Sequence, residues 1–405
     1  MRENRLARGG DALSQPTSEI DQGLREEARN ATLRLVLPLA MYKVFVLLLV
    51  FLSVEFLPPI FSKAGYHGNF HWPPDGVPNR TSVFRTWDGE QYLFLSEHGY
   101  RAGMMASAFY PLWPFCIRVG AGLFGGNHLV SGLVLSNLFS LVGILGFHYL
   151  AFLWRGAETA RAATLLLLAF PGALFFSFVY SESLFFLLSV LFFLFVLEGK
   201  HAATAWVAFL LPLTRSVGIF VLVPYLAWLT CSWRNKERIR SVAWLPVFAV
   251  FIGYAFYFTV FWASTGDPFE GFKAQRLFIA NSTVGKLVDF KGFLAELVTV
   301  QDLHGILGSL LDRLWFILFL LSLPGIRKLG PIWFWYALPL AVVPAMTVSF
   351  MAFTRYVEMV FPMFLAWGVW FSREERKVWL GVIAGMFYIV QVCLLIRHVN
   401  FHWAG

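Results

Sequence analysis

Apolar runs of about twenty residues recur through this chain from residue 35 to residue 396, and nothing else in the sequence restricts its fold so strongly. About 20 apolar residues in a row are enough for a helix to cross the hydrocarbon core of a bilayer. A helix also satisfies its own backbone there, which a lone extended segment cannot do. Eleven runs can be marked: 35–57, 128–153, 162–180, 183–197, 202–213, 217–230, 241–263, 306–323, 331–349, 356–371 and 378–396. They predict an all-α polytopic membrane protein. Charged residues make up 14% of the chain, where a soluble domain carries about 25%.

The net charge of +8 does not indicate nucleic-acid binding, because Lys and Arg lie between the apolar runs rather than in one patch. They read as topology signals. Cys116, Cys231 and Cys393 are far apart and form no CxxC pair, so neither a disulfide framework nor a zinc site is indicated. The first run begins only after 34 residues and is long enough to span, so no cleavable signal peptide is expected.

Residues 1–34 are expected to be a disordered cytoplasmic tail, and residues 35–405 a single transmembrane domain. Lys43 lies inside the first run, and its stem is long enough to snorkel to the end. The runs 202–213 and 217–230 are short and split by Thr214 and Arg215. Taken as two crossings, they put the basic clusters 234–240, 327–328 and 373–377 on the side of the N-terminal tail, with Arg155, Arg161 and Lys200. The positive-inside rule therefore favours eleven crossings with the N-terminus cytoplasmic and two long external loops, 58–127 and 264–305. Within the first loop, the aromatic, Pro-broken stretch 109–124 suits a helix lying at the interface. The same parity gathers the segment around Asp88, Tyr180–Ser183, Arg215, the second loop and Arg355–Tyr356 on one external face. Polar groups sharing one face suit an enzyme working there. A transporter needs them near the midplane.

Asp88 opens FRTWDGEQYLFLSEHGY (84–100), the most polar, helix-ready part of the first loop, where Trp87 and Tyr92 stand beside it. Two roles stay open for it: a helix N-cap, with Gln91 completing a capping box, or a carboxylate at the water boundary that accepts a proton. Glu182, in FVYSESLFF, is either paired or functional, since burying a carboxylate is costly. Arg215 and Arg355 are snorkelling cations or holders of a phosphate, whose oxygens suit the planar guanidinium fork. Gln275 and Arg276 lie in the second external loop, where most residues are merely solvated. His67, His71 and His98 show no metal-ligand spacing, and no nucleotide-binding glycine loop is present.

These pieces together resemble the GPI mannosyltransferase II (PIG-V) family and its prokaryotic relatives, in the GT-C class of glycosyltransferases. The matching motifs are WDG…Y…GY (87–100), FYPLWP (109–114), FPG…YSES (170–183), LTRSVG (213–218), GDP…AQR (266–276) and RYV…FP (355–362), in family order. The resemblance implies a GT-C-type bundle of about eleven helices with short helices in its first external loop. It further implies an inverting mannosyltransferase that uses a polyprenyl- or dolichyl-phosphate sugar. The acceptor would be a glycan or glycolipid, and no metal or other cofactor is implied. Asp88 would be the base, and Arg215 or Arg355, with Tyr356 adjacent, would hold the donor phosphate. Trp87, Tyr92, Glu182, Gln275 and Arg276 would be the further substrate-site candidates, and the 109–124 stretch would seat the lipid chain. The location would be the plasma membrane of a prokaryote or the endoplasmic reticulum of a eukaryote. Asn79 and Asn281 are glycosylation acceptors only in the second case. The rivals are a transferase of another lipid-linked sugar and a flippase or transporter for such lipids.

Overall fold

The computed structural model describes residues 22–74, 76–236, 239–279 and 284–405; Asn281 lies outside them. Among these residues the chain is all-α, as its composition demands. Every apolar run is helical, though the helices differ widely in length. Val36–Phe56, His128–Arg155, Ser216–Arg234, Ser241–Thr265 and Glu374–Val399 lie in stretches long and apolar enough to cross a membrane. A sixth span bends by 78° where Ala157–Ala169 meets Pro171–Ser177.

The remaining runs form shorter helices. Glu182–Leu197 has 16 residues, Pro331–Thr347 has 17 and Phe361–Phe371 has 11. Eleven residues cover only about 17 Å at 1.5 Å each. Such short helices are apolar all round because they are wrapped by the others. Phe361, Phe364 and Leu365 are fully buried, as are Phe185, Phe186 and Phe193. The short runs 202–213 and 217–230 are two separate strokes: His201–Leu210 rises to the Thr214–Arg215 corner and Leu222–Arg234 returns. The Tyr225 hydroxyl donates to the Ala243 carbonyl at 2.7 Å and meets His201 at 3.4 Å, so the returning stroke reaches the first residue of the rising one.

Lys43 does not snorkel. Its Nζ is buried and donates to the Phe176 carbonyl at 2.9 Å and to Ser177 Oγ at 3.2 Å. Gln391 Nε2 donates to the carbonyls of Leu168 and Phe170, and Tyr42 donates to Leu168 as well. These side chains supply the hydrogen bonds that the bent span loses at its break, without which a kink in an apolar bundle would strand its carbonyls.

Residues 22–33 are not a disordered tail either. Gln22–Leu33 is a helix whose Ala28 is fully buried, and it is fixed to the bundle by Thr32 against His148 (3.0 Å) and Arg25 against Glu198 (3.4 Å). Residues 1–21 lie outside the described part. At the opposite end, the long loop folds into Lys63–Gly68, Asp88–His98 and Leu112–Ala121. Arg118 binds the carbonyls of Ser96 and Glu97, closing the Asp88–His98 helix at its C-terminus. Phe115, Val119 and Leu123 keep one face of the 112–124 stretch exposed and apolar, as an interfacial helix requires.

Candidate active site

At the loop end, four charged side chains from four distant parts of the chain meet. Glu182, wholly buried in the first turn of its helix, lies between two arginines. Its Oε1 accepts from Arg215 Nη1 at 2.8 Å and from Arg355 Nε and Nη2 at 2.7 and 2.6 Å. The third contact of Arg355 runs from Nη1 to Asp88 Oδ2, at 2.6 Å. Two carboxylates and two guanidinium groups balance in charge, and only with such pairing do buried charges survive. Aromatic rings surround the cations. Arg355 lies over Tyr180 and Phe175, at 4.7 and 5.1 Å from their centroids, and Arg215 lies over Tyr356 at 5.1 Å.

Local breaks in the helices place these groups. Arg215 is an extended residue between two 3₁₀ turns, where Pro212 and the Thr214 hydroxyl, bonded to the Leu211 carbonyl, end the rising helix. Arg355 rides on a six-residue helix, Phe353–Glu358, entered through Ala352 in the left-handed region (φ 58°). No side chain of its own caps that helix. Asp312 does so from a distance, its Oδ1 accepting from the Thr354 N–H at 2.8 Å and the Thr354 hydroxyl at 2.7 Å. Gly172 lets this short helix pack onto the bent span, since a Cβ there would lie 2.6 Å from the Thr354 carbonyl oxygen.

Asp88 is not an N-cap. Trp87 holds that position with φ 52°, without a capping side-chain bond, and Asp88 is the first residue of the helix proper. Its carboxylate is therefore free of the local backbone and is spent on Arg355. A tryptophan held at positive φ is strained, and the surroundings enforce it: Tyr180 donates to the Thr86 carbonyl at 2.9 Å and the Trp87 indole to the His402 carbonyl at 3.3 Å.

Asp88, Arg215 and Arg355 line a cavity of about 260 Å³ together with Trp87, Tyr92 and Tyr356. The Asp88 side chain is 22% exposed and so can be reached from it, whereas Glu182, at 0%, lies beneath as a counterion. Tyr92 is tied to Ser181 Oγ at 2.8 Å, and Ser181 accepts in turn from Arg215 at 3.2 Å. Gln275 borders the cavity and donates to the Ala108 carbonyl. Arg276 does not border it; it is exposed on the far side of its turn. Arg215 uses only Nη1 for hydrogen bonds among the described residues, leaving Nε and Nη2 unspent.

Asp312 and Trp403 were not legible as site residues. Asp312 stands at the head of an apolar run beside Ser309 and Arg313, which was its one signal. Trp403 lines the cavity from the C-terminal segment, for which sequence pattern offered none.

Comparisons with known proteins bear on the family and on the fold. A family model, Mannosyltransferase (PIG-V), matches residues 75–260, which include Trp87, Asp88, Tyr92, Glu182 and Arg215. GPI mannosyltransferase pigv-1 of Caenorhabditis elegans is 28% identical over 173 residues, 36% of this chain and 26% of that protein. The chain thus spans about a quarter of the curated relative it matches. The crystal structure of ArnT from Cupriavidus metallidurans bound to undecaprenyl phosphate superposes with a TM-score of 0.51 at 14% identity, over 90% of this chain and 74% of ArnT. That likeness is one of fold. The chain is therefore an integral membrane protein of the GT-C fold, similar over residues 75–260 to the PIG-V mannosyltransferases.

Proposed function

We propose that this chain is an inverting mannosyltransferase that takes its sugar from a polyprenyl- or dolichyl-phosphate donor, at the periplasmic or luminal face of its membrane. One observation carries the proposal. A reachable carboxylate, Asp88, borders the same cavity as Arg215, a cation with two N–H groups unspent. Support for the donor class comes from the PIG-V family match and from the undecaprenyl phosphate bound to ArnT.

In this reaction the acceptor hydroxyl oxygen attacks the anomeric carbon while the bond from that carbon to the phosphate oxygen breaks. Asp88 takes the hydroxyl proton, and the electron pair of the broken bond leaves with the lipid phosphate. Arg215 receives the phosphate on Nε and Nη2, two parallel donors in the fork geometry that phosphate oxygens match. Arg355 has a different task. Its N–H groups are committed to Glu182 and Asp88, so it aims the base and moderates its charge until substrate arrives. Tyr356 supports the Arg215 guanidinium from below.

The test is purified protein supplied with radiolabelled polyprenyl-phosphate mannose and a lipid extract from its own host. A labelled product that forms without any nucleotide sugar is expected. Absence of transfer from the mannosyl lipid, alongside transfer from a lipid carrying another sugar, would move the donor assignment to that sugar.

A further inference from the structure

The last six residues fold back over the cavity instead of trailing from the final helix. Phe401, at φ 61°, reverses the chain, and His402 N–H returns to the Arg397 carbonyl at 2.9 Å. Arg397 then clamps the segment, donating to the carbonyls of Trp403 at 3.1 Å and His304 at 3.0 Å. The first loop grips it as well: the Ser62 N–H donates to the Asn400 carbonyl at 2.9 Å, and Trp87 donates to that of His402. Gly65 shows how close this contact is, since a Cβ there would lie 1.9 Å from the Phe401 carbonyl oxygen. The segment is thus built into the site on several sides.

Its product at the cavity is a corner of two indoles. Trp403 and Trp87 meet edge to face, centroids 5.4 Å apart and planes at 77°, and both line the cavity beside Asp88 and Arg355. The Trp87 indole N–H is used on the backbone, whereas that of Trp403 is buried without a partner. We infer that Trp403 is a sugar-contacting, specificity-determining residue, on whose ring the C–H face of the donor's pyranose packs. The inference rests on the donor reading above. A pyranose carries a patch of C–H bonds, and an indole answers it with a wide apolar face. The corner adjoins the Asp88 carboxylate, so its occupant lies next to the reacting carbon, a place for the sugar and not for the prenyl chain.

Binding of two probes to the full-length protein in detergent tests this: undecaprenyl-phosphate mannose and undecaprenyl phosphate without sugar. Trp403→Leu keeps apolar bulk but removes the aromatic face. It should weaken binding of the mannosyl lipid about tenfold and leave the bare lipid phosphate unchanged, while Trp403→Phe stays near wild type. Equal loss on both probes, no loss on either, or a Trp403→Phe protein as weak as Trp403→Leu would overturn the inference. A wild-type protein that binds neither probe would instead refute the donor reading beneath it.

Discussion

Asp88 carries a negative charge in the first turn of its helix yet makes no capping bond; its partner, Arg355, is 267 residues away. Asp88→Asn can still accept a hydrogen bond from Arg355 but cannot accept a proton at neutral pH. It should fold, with a melting temperature lowered by less than in Glu182→Gln because Asp88 is 22% exposed, and turn over about 10²–10⁴-fold more slowly; an Asp88→Asn enzyme of normal rate would remove Asp88 from the chemistry. The two arginines should separate kinetically. Arg215→Lys keeps charge but loses the fork toward phosphate, so KM for the donor rises with kcat less affected. Arg355→Lys loses the contact that aims Asp88, so kcat falls instead. Matching effects on both constants in the two variants would merge their roles. Glu182 is the counterion of both cations, and neutralising it leaves two buried charges with one partner between them. Glu182→Gln should therefore lower the melting temperature more than either arginine variant, on the order of 3–5 kcal/mol of stability.

Among the elements, the bent span shows why a site of this kind needs a break. Pro171 ends Ala157–Ala169, and the 3₁₀ turn that follows brings Gly172 against the helix bearing Arg355. Gln391 binds two of the carbonyls that the break exposes. Gln391→Leu removes both bonds, worth roughly 0.5–1.5 kcal/mol each, and leaves the Leu168 carbonyl to Tyr42 and the Phe170 carbonyl to the Ala173 N–H. It should lower the melting temperature measurably, and an unchanged melt would mean that other groups satisfy the break. The helices within the apolar runs were legible, because hydrophobicity is a local property of sequence, whereas the polar helix Gln22–Leu33 was not. The fate of Lys43 was not, since the carbonyl it serves, Phe176, lies 133 residues along the chain. Neither was the division between Gln275 and Arg276, where one residue of rotation around a short turn decides which side chain borders the cavity. Asp88, Glu182, Arg215 and Arg355 were all legible as polar residues in apolar surroundings. Their pairing was not, because four separate helix ends create it.

Over the whole molecule, charge and architecture point in one direction. Glu158 receives both Arg161 and Lys377, and Glu198 receives both Arg25 and Lys200. These links tie Arg25, Arg161, Lys200 and Lys377 to the end of the bundle where Gln22–Leu33 packs, opposite the cavity. Cytoplasmic loops carry the excess of Lys and Arg, so the cavity should open to the far side of the membrane. Single cysteines in a protein with Cys116, Cys231 and Cys393 replaced can test this orientation. Lys236→Cys reports the basic end, and Arg276→Cys reports the cavity end from an exposed position outside the cavity itself. In intact cells a membrane-impermeant thiol reagent should label position 276 and leave 236 untouched until the membrane is opened. Labelling at 236 alone would invert the molecule and turn the cavity toward the cytoplasm. Labelling at both in intact cells would mean that the two positions share a side, which the span Ser241–Thr265 between them does not allow.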